Sequence, residues 1–594
     1  MKKLNVVPLG YLRDFLITQK NGLTGNIEKA GYPFNEVEWG KSNFGYKWYD
    51  FEQVAYWLDG YTRLGILLDD KEIINRSRKI IYNVIDNPTN DDNCTSYLGP
   101  TVLRLSDGWC RWPHVVFFRA ALALYEYNQD YKIIDAIKRH YLNDEFDYSN
   151  ERDVLNVEIM LNLYSYTKDE RLLNLAIKSY SDYNEKCKSD LCDKVILSNK
   201  KPYVHGVSYD EYTKLSSLLY LFTKDKKYLK VAIKANEKLK KHFMLIDGLH
   251  CSDEFLINNK INRSHETCCV SDYTWNLYYL YQATKNTNYL DDVEKCIFNA
   301  GIGSVNDDFR ALQYFSSPNQ ITLGETSNHN EFHKGSKWMQ YAPNPGTECC
   351  PGNVNRFMPN YIMNMYGYDN DYLEVKLFGS SILKINGKEI LKQETDFPFD
   401  MAFKFTNLTS EQLNVKIRYP SYVKGLINEN NYKINDGYIY LHIDGFEEKE
   451  ISFKTDIQIN HKDNYLWINR GVLLYSYPIV EKIEKNGDNK FPVYSLTPLG
   501  DWQYGFKEKM DCHYENGTII VNAYKIVNWK IKKLKKVKRC TSLYKKIFRI
   551  VEGEFIMTPN IPKKIVCEKE IVKISLVPYM HTRLRLTAFP IVKD

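Results

Sequence analysis

A helical hairpin that recurs along the first half of the chain constrains the fold more than any other feature. Paired segments with apolar residues at helical spacing cover 51–68 and 72–85, 114–127 and 131–141, 154–166 and 171–183, 209–222 and 228–243, and 273–283 and 289–298. The turns inside the last three pairs are alike: Thr167-Lys168-Asp169, Thr223-Lys224-Asp225 and Thr284-Lys285-Asn286. The first two turns are 56 residues apart and the third follows after 61, which indicates an internal repeat of helix pairs.

The segments between the pairs indicate how such an array is arranged. With 353–366 as a closing helix and part of the N-terminal lead-in, the chain holds roughly six pairs. An array of this kind either stays an open solenoid or closes into an α/α toroid. Long non-helical insertions at 91–112, 244–265 and 301–349 favour closure, because they would gather at one end and build a pocket.

The apolar pattern changes to a period of two after residue 368. Alternation at 373–377, 413–419, 438–441 and 449–453, and again at 466–468, 472–475 and 518–521, predicts short strands of a β-sandwich. A chain of 594 residues also exceeds what one hydrophobic core usually supports. We predict a multidomain α + β protein: an irregular lead-in at 1–50, a helical catalytic domain at 51–368, a β-sandwich at 369–460, and a β-rich region at 461–594 that belongs to the same or a second sandwich.

Composition and charge exclude several classes of partner. The net charge of +6 is small for this length, and the one basic run, at 530–539, is interpreted as a solvent-exposed edge, so no nucleic-acid partner is expected. No uncharged apolar run of about 18 residues is present, so no membrane span is expected. Charged residues interrupt the N-terminal segment, and no cleavage site of small residues follows it. The 13 cysteines, without the spacing of a secreted disulfide scaffold, favour free thiols and a cytoplasmic location.

Two dense cysteine clusters carry the chemistry. Cys349 and Cys350 precede a Pro-Gly turn, and Asn353 is the expected N-cap of a helix over 353–366. A thiol at a helix N-terminus is favoured as the thiolate. The second cluster, at 265–269, reads His-Glu-Thr-Cys-Cys. Thiols and carboxylates together are zinc-like ligands, although buried cysteines are also common as small apolar core residues, and this alternative stays open.

The spacing inside the second cluster has a structural consequence. Glu266 and Cys268 are two residues apart, so their side chains point the same way only in an extended chain. We therefore expect both residues just before a helix that Ser271 or Asp272 caps.

The two clusters, in this order and followed by a β-rich region, resemble glycoside hydrolase family 127, the β-L-arabinofuranosidase-like enzymes. The resemblance runs over most of the chain, from residue 50 to 505. Its matching pieces are Glu266-Thr267-Cys268, Cys349-Cys350-Pro351-Gly352-Asn353, Asn360-Tyr361, 393–398, 417–420 and 469–475; the first two are specific, and the others are individually weak but arrive in the right order. The resemblance implies an (α/α)6 barrel with appended β-sandwiches.

The same resemblance implies the roles of the cluster residues. Glu266, Cys268, Cys349 and Cys350 would bind one Zn²⁺, and Cys349 would also be the nucleophile of a retaining mechanism. Such a mechanism needs a second group that protonates the leaving oxygen and later activates water. The family uses a Glu upstream of the Glu-x-Cys motif for this task.

The best match to that acid/base segment is Asp253-Glu254-Phe255, with Glu254 as the candidate and Asp253 as the fallback. His205 lies where the family keeps a substrate-binding histidine. Tyr314 stands where the family has Tyr-x-Asn-Pro, but the segment 313–318 lacks the Asn, which leaves the identity of the sugar open.

Some residues depart from the family pattern. Cys269 and Glu348 are extra candidate metal ligands. A long loop at 319–345 carries His329, His333 and Trp338, and we expect it to be mobile, with a histidine able to reach substrate.

The function expected from these residues is a retaining, exo-acting glycoside hydrolase with a zinc-bound cysteine nucleophile. It would remove a terminal β-L-arabinofuranosyl or related sugar from a small oligosaccharide or glycoside. Two alternatives stay open: another α/α-toroid enzyme, a lyase or phosphorylase with a structural zinc, and a non-catalytic carbohydrate-binding protein. Pairing of a β-sandwich edge between two chains would give a homodimer.

Overall fold

The computed structural model describes residues 3–40, 45–91, 94–105, 111–346, 349–369, 371–427, 432–542 and 547–593. Within these ranges, helices dominate up to residue 363 and strands dominate from residue 366. The helices are α1 (Gly10–Asn21), α2 (Trp48–Leu68), α3 (Lys71–Ile85), α4 (Val102–Leu105), α5 (Trp112–Asn128), α6 (Tyr131–Leu142), α7 (Val157–Thr167), α8 (Glu170–Lys186), α9 (Asp193–Leu197), α10 (Gly206–Thr223), α11 (Lys226–His242), α12 (Cys268–Thr284), α13 (Asn288–Lys295), α14 (Cys349–Asn353) and α15 (Phe357–Met363). None of these described helices has the length and apolar composition that a membrane crossing requires.

The predicted helical hairpins are present, and their turns share one local structure. The first helix of each pair ends beside a residue in the left-handed region, at Asp69, Gln129, Lys168, Lys224 and Lys285. In the first four turns an aspartate follows, and its carboxylate accepts a hydrogen bond from the backbone N–H two residues later. A left-handed C-cap joined to an aspartate N-cap reverses the chain within a few residues, which explains the repeated turn sequence.

The two helices of each pair differ in burial. Helices α2, α5, α10 and α12 are buried over most of their surface, whereas α3, α6, α8 and α11 bury one face only. The first helices contact one another in sequence: α2 packs on α5, α5 on α7, α7 on α10, and α10 on α12. Helices α14 and α15 then pack against both α12 and α2, so the order of contacts returns to its start.

The strands form three larger sheets and several two-stranded ribbons. They are β1 (Leu4–Pro8), β2 (Thr89–Asp91), β3 (Cys94–Tyr97), β4 (His265–Glu266), β5 (Phe315–Ser316), β6 (Tyr366–Asp369), β7 (Tyr372–Val375), β8 (Ser381–Ile385), β9 (Lys388–Glu394), β10 (Ala402–Asn407), β11 (Leu413–Arg418), β12 (Gly425–Leu426), β13 (Lys433–Asn435), β14 (Tyr438–Ile443), β15 (Glu448–Lys454), β16 (Ile457–Lys462), β17 (Tyr465–Arg470), β18 (Leu473–Pro478), β19 (Glu481–Gly487), β20 (Pro492–Pro498), β21 (Tyr504–Gly505), β22 (Cys512–Glu515), β23 (Thr518–Ile526), β24 (Lys532–Ser542), β25 (Ile547–Met557), β26 (Cys567–Pro578), β27 (Arg585–Leu586) and β28 (Phe589–Pro590).

The order of strands in the sheets is not the order in the chain. The first sheet runs β1-β8-β9-β10-β15-β12 and the second runs β13-β14-β11-β7-β6. The third runs β16-β17-β18-β26-β23-β21, with β22, β27 and β28 paired at its side. β7 and β11 are parallel, whereas their neighbours in the second sheet pair antiparallel.

The N-terminal segment is more regular than predicted. Residues 1–50 were expected to be irregular, but they contain β1 and α1. β1 joins the first sheet with Val6 opposite Leu383, and α1 buries Leu12 and Leu16, one helical turn apart. A five-residue strand whose partner lies far along the chain leaves no local signal, which explains the difference.

The basic run at 530–539 lies mostly on β24, which pairs with β25 as a separate ribbon. Its lysines are exposed, as the interpretation of this run as a solvent-exposed edge requires. The other face of the ribbon packs on the loop at 319–345: Val537 is buried, and Arg539 donates hydrogen bonds to the backbone oxygens of Lys334 and Gly335.

Arg418, the last residue of β11, joins the strand-rich part to the helical part. It is fully buried, and its guanidinium pairs with Asp291 and Glu294 of α13. Replacing Arg418 by methionine leaves both carboxylates without this partner, so we expect the free energy of unfolding to fall by about 3–5 kcal/mol. Urea titration followed by circular dichroism of the helices measures the change.

The matched control is Lys482→Met, because Lys482 pairs with Glu484 on the surface, where both side chains are 58% exposed. We expect Lys482→Met to leave the urea midpoint unchanged, because an ion pair in solvent contributes little to stability. An Arg418→Met protein as stable as the Lys482→Met protein would contradict the role given to Arg418.

Candidate active site

A cavity of about 400 Å³ lies where α2, α5, α10, α12 and α14 begin and where the chain enters α7. The insertions predicted to gather at one end precede α5, α12 and α14, which all start here. Helix N-termini carry partial positive charge, so this end of the helical part favours anionic groups. Residues that line the cavity include Glu52, Arg152, His205, Glu266, Tyr314 and Cys349.

Three sulfur atoms and a carboxylate meet at one wall of this cavity. The ligand atoms of Glu266, Cys268, Cys349 and Cys350 all lie within 4.8 Å of one another. Cys268 Sγ is 3.3 Å from Cys350 Sγ, and Cys349 Sγ is 3.7 Å from a Glu266 carboxylate oxygen, Oε1. Cys268 and Cys350 are buried, whereas Cys349 is partly exposed and lines the cavity. The structure therefore brings together the four residues that the resemblance assigned to one metal.

A two-stranded ribbon and a helix start place Glu266 and Cys268. β4 pairs with β5, which puts Glu266 opposite Phe315 and beside Tyr314. The backbone N–H of Thr267 donates to the carbonyl of Tyr314 at 3.0 Å, and α12 then starts at Cys268. As expected, Glu266 lies in extended chain; Cys268 is already the first residue of the helix.

Two predicted helix caps are wrong. Because α12 begins at Cys268, Ser271 and Asp272 lie inside this helix. Because α14 spans only Cys349–Asn353, Asn353 ends a short helix and does not cap a helix through residue 366. The Asn353 amide instead donates to the Asp272 carboxylate at 3.2 Å, which connects α14 with α12.

Gly352 allows α14 to approach α2 closely. A Cβ at residue 352 would lie 2.5 Å from the backbone oxygen of Gln53, which is a backbone contact that cannot rotate away. Any side chain there would push α14 from α2 and move Cys349 away from the first turns of α2. The Pro-Gly pair after the cysteines therefore has a packing role.

His205, Glu254 and Tyr314 form a second group, joined to the first through Glu266. His205 Nε2 lies 3.0 Å from Glu254 Oε2 and 3.4 Å from Glu266 Oε2. The phenol of Tyr314 donates to Glu254 Oε1 at 2.5 Å. His205, Glu254 and Tyr314, which were predicted to transfer a proton or bind substrate, therefore lie next to Glu266, one of the predicted metal ligands.

The backbone holds Glu254 in an unusual conformation. Its φ is +66°, a region that side-chain-bearing residues rarely adopt, and it is 7% exposed. Its carbonyl accepts hydrogen bonds from the Gly206 N–H at 2.8 Å and the Ser252 hydroxyl at 3.1 Å. Strain of this kind persists where surrounding contacts hold it, and it often marks functional residues.

Asp253, the fallback for Glu254, faces other partners. Its Oδ1 accepts from the backbone N–H and the hydroxyl of Ser264 at 3.0 and 2.5 Å, and its Oδ2 accepts from the Arg263 guanidinium at 2.9 Å. The carboxylate is fully buried and holds the insertion at 244–265 together.

The surroundings push the pKa values of the site in opposite directions. Hydrogen bonds with Cys268 and Cys350 lower the pKa of Cys349 well below its usual value. Burial raises the pKa of Cys268 and of Cys350. Burial and then the charge of Glu266 raise the pKa of Glu254. A thiol with a lowered pKa beside a carboxyl with a raised pKa is the combination that nucleophilic attack with proton donation requires.

The donor set fits a zinc ion. Three sulfurs and a carboxylate oxygen are ligands that Zn²⁺ takes in tetrahedral sites, and Zn–S bonds of about 2.3 Å put the sulfurs about 3.8 Å apart. The observed separations, 3.3 Å between two sulfurs and at most 4.8 Å among all four donors, lie close to that value. Glu266 Oε2 is also buried without a hydrogen-bond partner among the described residues.

Cys269, an extra candidate ligand, belongs to a different group. Its sulfur lies with Asp210 and His250, whose ligand atoms are within 4.8 Å of it and of one another. Successive side chains of a helix point about 100° apart, so Cys269 faces away from Cys268. Glu348, the other extra candidate, lies outside the described residues.

The loop at 319–345 supports the site from one side. His329 is partly buried, with Nε2 3.5 Å from the Ser317 hydroxyl. His333 stacks on Trp338 with ring centroids 3.9 Å apart, and Trp338 packs on Tyr314 at 4.4 Å. Neither histidine is among the described residues that line the cavity, so the contribution of the loop is Trp338 behind Tyr314.

Another wall of the cavity was not expected from the sequence. It consists of Trp48, Glu52, Trp112 and Arg152. Glu52 Oε1 accepts a hydrogen bond from the indole N–H of Trp112 at 2.6 Å and lies 3.6 Å from an Arg152 nitrogen. No signal in the sequence marks this wall, because Asp50 and Gln53 beside Glu52 are also polar and acidic residues are ordinary near a helix start.

Asp247 and Tyr579 were also missed. His265 Nε2 lies 2.8 Å from Asp247 Oδ2, and the phenol of Tyr579 donates to the same oxygen at 3.0 Å. All three residues are fully buried behind β4. Tyr579 comes from the strand-rich part, so no local pattern could connect it with the site.

Comparisons with known proteins agree with this geometry. The model of the GH127 catalytic domain, described as β-L-arabinofuranosidase, matches residues 17–362, more than half of the chain. A GH127 β-L-arabinofuranosidase from Geobacillus stearothermophilus T6 is 14% identical with a TM-score of 0.71, over 99% of this chain and 100% of that one. A GH127 β-arabinofuranosidase is 15% identical with a TM-score of 0.68, over 99% and 97% of the two chains. A glycoside hydrolase is 14% identical with a TM-score of 0.67, over 100% and 98%.

At these identities the structural likeness shows the fold alone, and it extends over both the helical and the strand-rich parts. No curated protein sequence matches the chain. The family match covers Glu254 and the four residues of the sulfur and carboxylate cluster. The chain therefore belongs to the GH127 β-L-arabinofuranosidase family and is a glycoside hydrolase.

Proposed function

We propose that this enzyme is a retaining, exo-acting glycosidase that removes a terminal β-L-arabinofuranosyl or related sugar, with Cys349 as nucleophile and Glu254 as acid/base. The observation that carries the proposal is the position of Glu266, whose carboxylate contacts both the sulfur cluster and the His205–Glu254 pair. Cys349, His205 and Tyr314 line the cavity, and Glu254 contacts His205 and Tyr314 next to that lining.

In the first step, the Cys349 thiolate attacks the anomeric carbon while the glycosidic C–O bond breaks. The electron pair of the C–O bond stays on the leaving oxygen, which takes the proton of Glu254. The sugar remains attached to the sulfur of Cys349. Tyr314 and His205 hold the Glu254 carboxyl in position through contacts of 2.5 and 3.0 Å.

In the second step, the Glu254 carboxylate takes a proton from water as the water oxygen attacks the same carbon. The C–S bond breaks, its electron pair returns to Cys349, and the thiolate and the protonated Glu254 are restored. Two displacements at one carbon retain its configuration.

Glu266, Cys268, Cys349 and Cys350 would hold a zinc ion. When bound, zinc would keep these sulfurs deprotonated at neutral pH. Because the ligands must be reduced thiols, we also propose that the enzyme works in a reducing compartment, such as the cytoplasm.

The fold supports a more specific architecture. We propose an (α/α)6 barrel for the helical part, which is supported by the contacts that run from α2 through α5, α7, α10 and α12 and back through α14. For the two sheets that contain β6–β15 we propose a β-sandwich arrangement.

Glu254→Gln tests the acid/base assignment through the leaving group. For an arabinofuranoside with an alkyl leaving group, we expect kcat/KM to fall by about 10²–10⁴-fold, because the leaving oxygen receives no proton. For a dinitrophenyl glycoside, which leaves without a proton, we expect kcat/KM to stay within about tenfold of the wild-type value. Added azide should restore turnover by replacing water in the second step.

Asp253→Asn is the matched control, since Asp253 is the adjacent buried carboxylate. If Asp253→Asn showed the leaving-group dependence and Glu254→Gln did not, the assignment would be wrong. Products that absorb in the ultraviolet, or a requirement for inorganic phosphate, would instead identify a lyase or a phosphorylase.

A further inference from the structure

We propose that Glu52, held by Trp112 and paired with Arg152, binds hydroxyl groups of the substrate. The inference rests on the proposed function, because it concerns the substrate of the same cavity. It is carried by the wall formed by Trp48, Glu52, Trp112 and Arg152.

Glu52 is held in place and still has room to accept. Its Oε1 accepts from the Trp112 indole at 2.6 Å and the Tyr56 phenol at 3.3 Å, and its Oε2 accepts from the Gln53 amide at 3.2 Å. A carboxylate offers about four lone-pair sites, so Oε2 can accept a further hydrogen bond. Glu52 lines the cavity, and a sugar hydroxyl is the donor that a glycoside would bring there.

Arg152 completes the wall in a fixed conformation. Its guanidinium lies over the rings of Trp48 and Trp112, with 5.5 and 5.9 Å to the ring centroids. Its φ is +67°, a strained value for a residue with a side chain, and its side chain is 22% exposed. Two indoles and a guanidinium therefore present a rigid surface beside the Glu52 carboxylate.

The size of the cavity limits how much of the substrate it holds. A volume of about 400 Å³ is at the small end of ligand pockets, which suits one sugar unit with part of the next.

Binding measured apart from turnover tests the inference. In the Glu254→Gln holoenzyme, calorimetric titration with methyl β-L-arabinofuranoside is compared with titration with its mono-deoxy derivatives. We expect Glu52→Gln in this background to weaken binding of the parent glycoside by about ten- to a hundredfold, because a charged acceptor is lost.

One mono-deoxy derivative should lack the hydroxyl that Glu52 binds. It should bind the Glu254→Gln enzyme as weakly as the parent glycoside binds the Glu52→Gln variant, and Glu52→Gln should not weaken its binding further. Glu389→Gln, at an exposed site on β9, is the matched control and should bind all ligands like the background.

Equal losses for the parent and every deoxy derivative would show that Glu52 only supports the fold, and would overturn the inference. Binding of the parent glycoside to Glu52→Gln as tight as to the Glu254→Gln enzyme alone would overturn the inference as well. These outcomes do not depend on Cys349: an enzyme that bound the sugars as expected but hydrolysed them without Cys349 would refute the proposed function and leave this inference standing.

Discussion

Replacing Cys349 by alanine is expected to lower kcat/KM for aryl β-L-arabinofuranosides by about 10⁴-fold or more, which is the scale seen when a nucleophile is removed from an enzyme. Of the three clustered cysteines, Cys349 alone is partly exposed, and its pKa is lowered while burial raises the pKa of Cys268 and Cys350. Steady-state kinetics of the purified variant, with its zinc content measured in parallel, give the result.

The loss of a ligand could by itself reduce activity, so Cys350→Ala is the control. Cys350 is fully buried and belongs to the same donor set, but its sulfur has no access to the cavity. If loss of metal were the whole cause, both alanine variants would lose the same activity at the same zinc content. We expect Cys349→Ala to be lower by a further tenfold or more, since it alone removes the attacking atom.

A covalent intermediate separates the nucleophile from the ligand directly. The Glu254→Gln enzyme should form the thioglycoside rapidly from a dinitrophenyl arabinofuranoside and hydrolyse it slowly, because no base activates the water. The chain should gain the mass of one arabinosyl unit, and peptide mapping should place it on Cys349. A label on Glu266, or full activity in Cys349→Ala, would contradict the assignment.

The helical hairpins could be predicted because their signals are local. Apolar residues at helical spacing define the helices. An aspartate whose carboxylate accepts from the backbone N–H two residues later defines the turn, as at Asp169 and Asp225. β1 could not be predicted, because its hydrogen bonds are to β8, far along the chain. The caps at Asn353 and Asp272 were wrong because these polar side chains bond to each other across two helices, which their neighbours in sequence do not show.

The residues of the candidate site also differ in whether the sequence alone could show them. Adjacent cysteines beside a carboxylate, as at 265–269, stand out in sequence because few other structural roles need them together. Glu52 does not stand out, because acidic residues near a helix start are ordinary, and its importance comes from Trp112 and Arg152 in other segments. Tyr579 contacts Asp247 across 332 residues, which only the folded chain can show.

The second large effect is expected for the metal. Cys268→Ala should weaken the affinity for zinc by more than about a hundredfold, so less zinc should be bound per chain at a fixed free zinc concentration. Loss of a ligand should cost more than loss of a group that only contacts a ligand, and changes of that second kind cost about 10–100-fold. Cys268 is 1% exposed at the start of α12, and its sulfur lies 3.3 Å from that of Cys350. Competition with a chelator of known affinity, read by elemental analysis, measures the change.

Cys269→Ala is the control that makes this prediction specific. Cys269 is the next residue, equally buried and equally a thiol, but its sulfur lies with Asp210 and His250. Because the two side chains point in different directions from α12, removing Cys269 should leave the zinc affinity within about tenfold of wild type. A chain that keeps its zinc without Cys268 and loses it without Cys269 would place the metal in the other group, and the thiolate beside the cavity would then need a different source of activation.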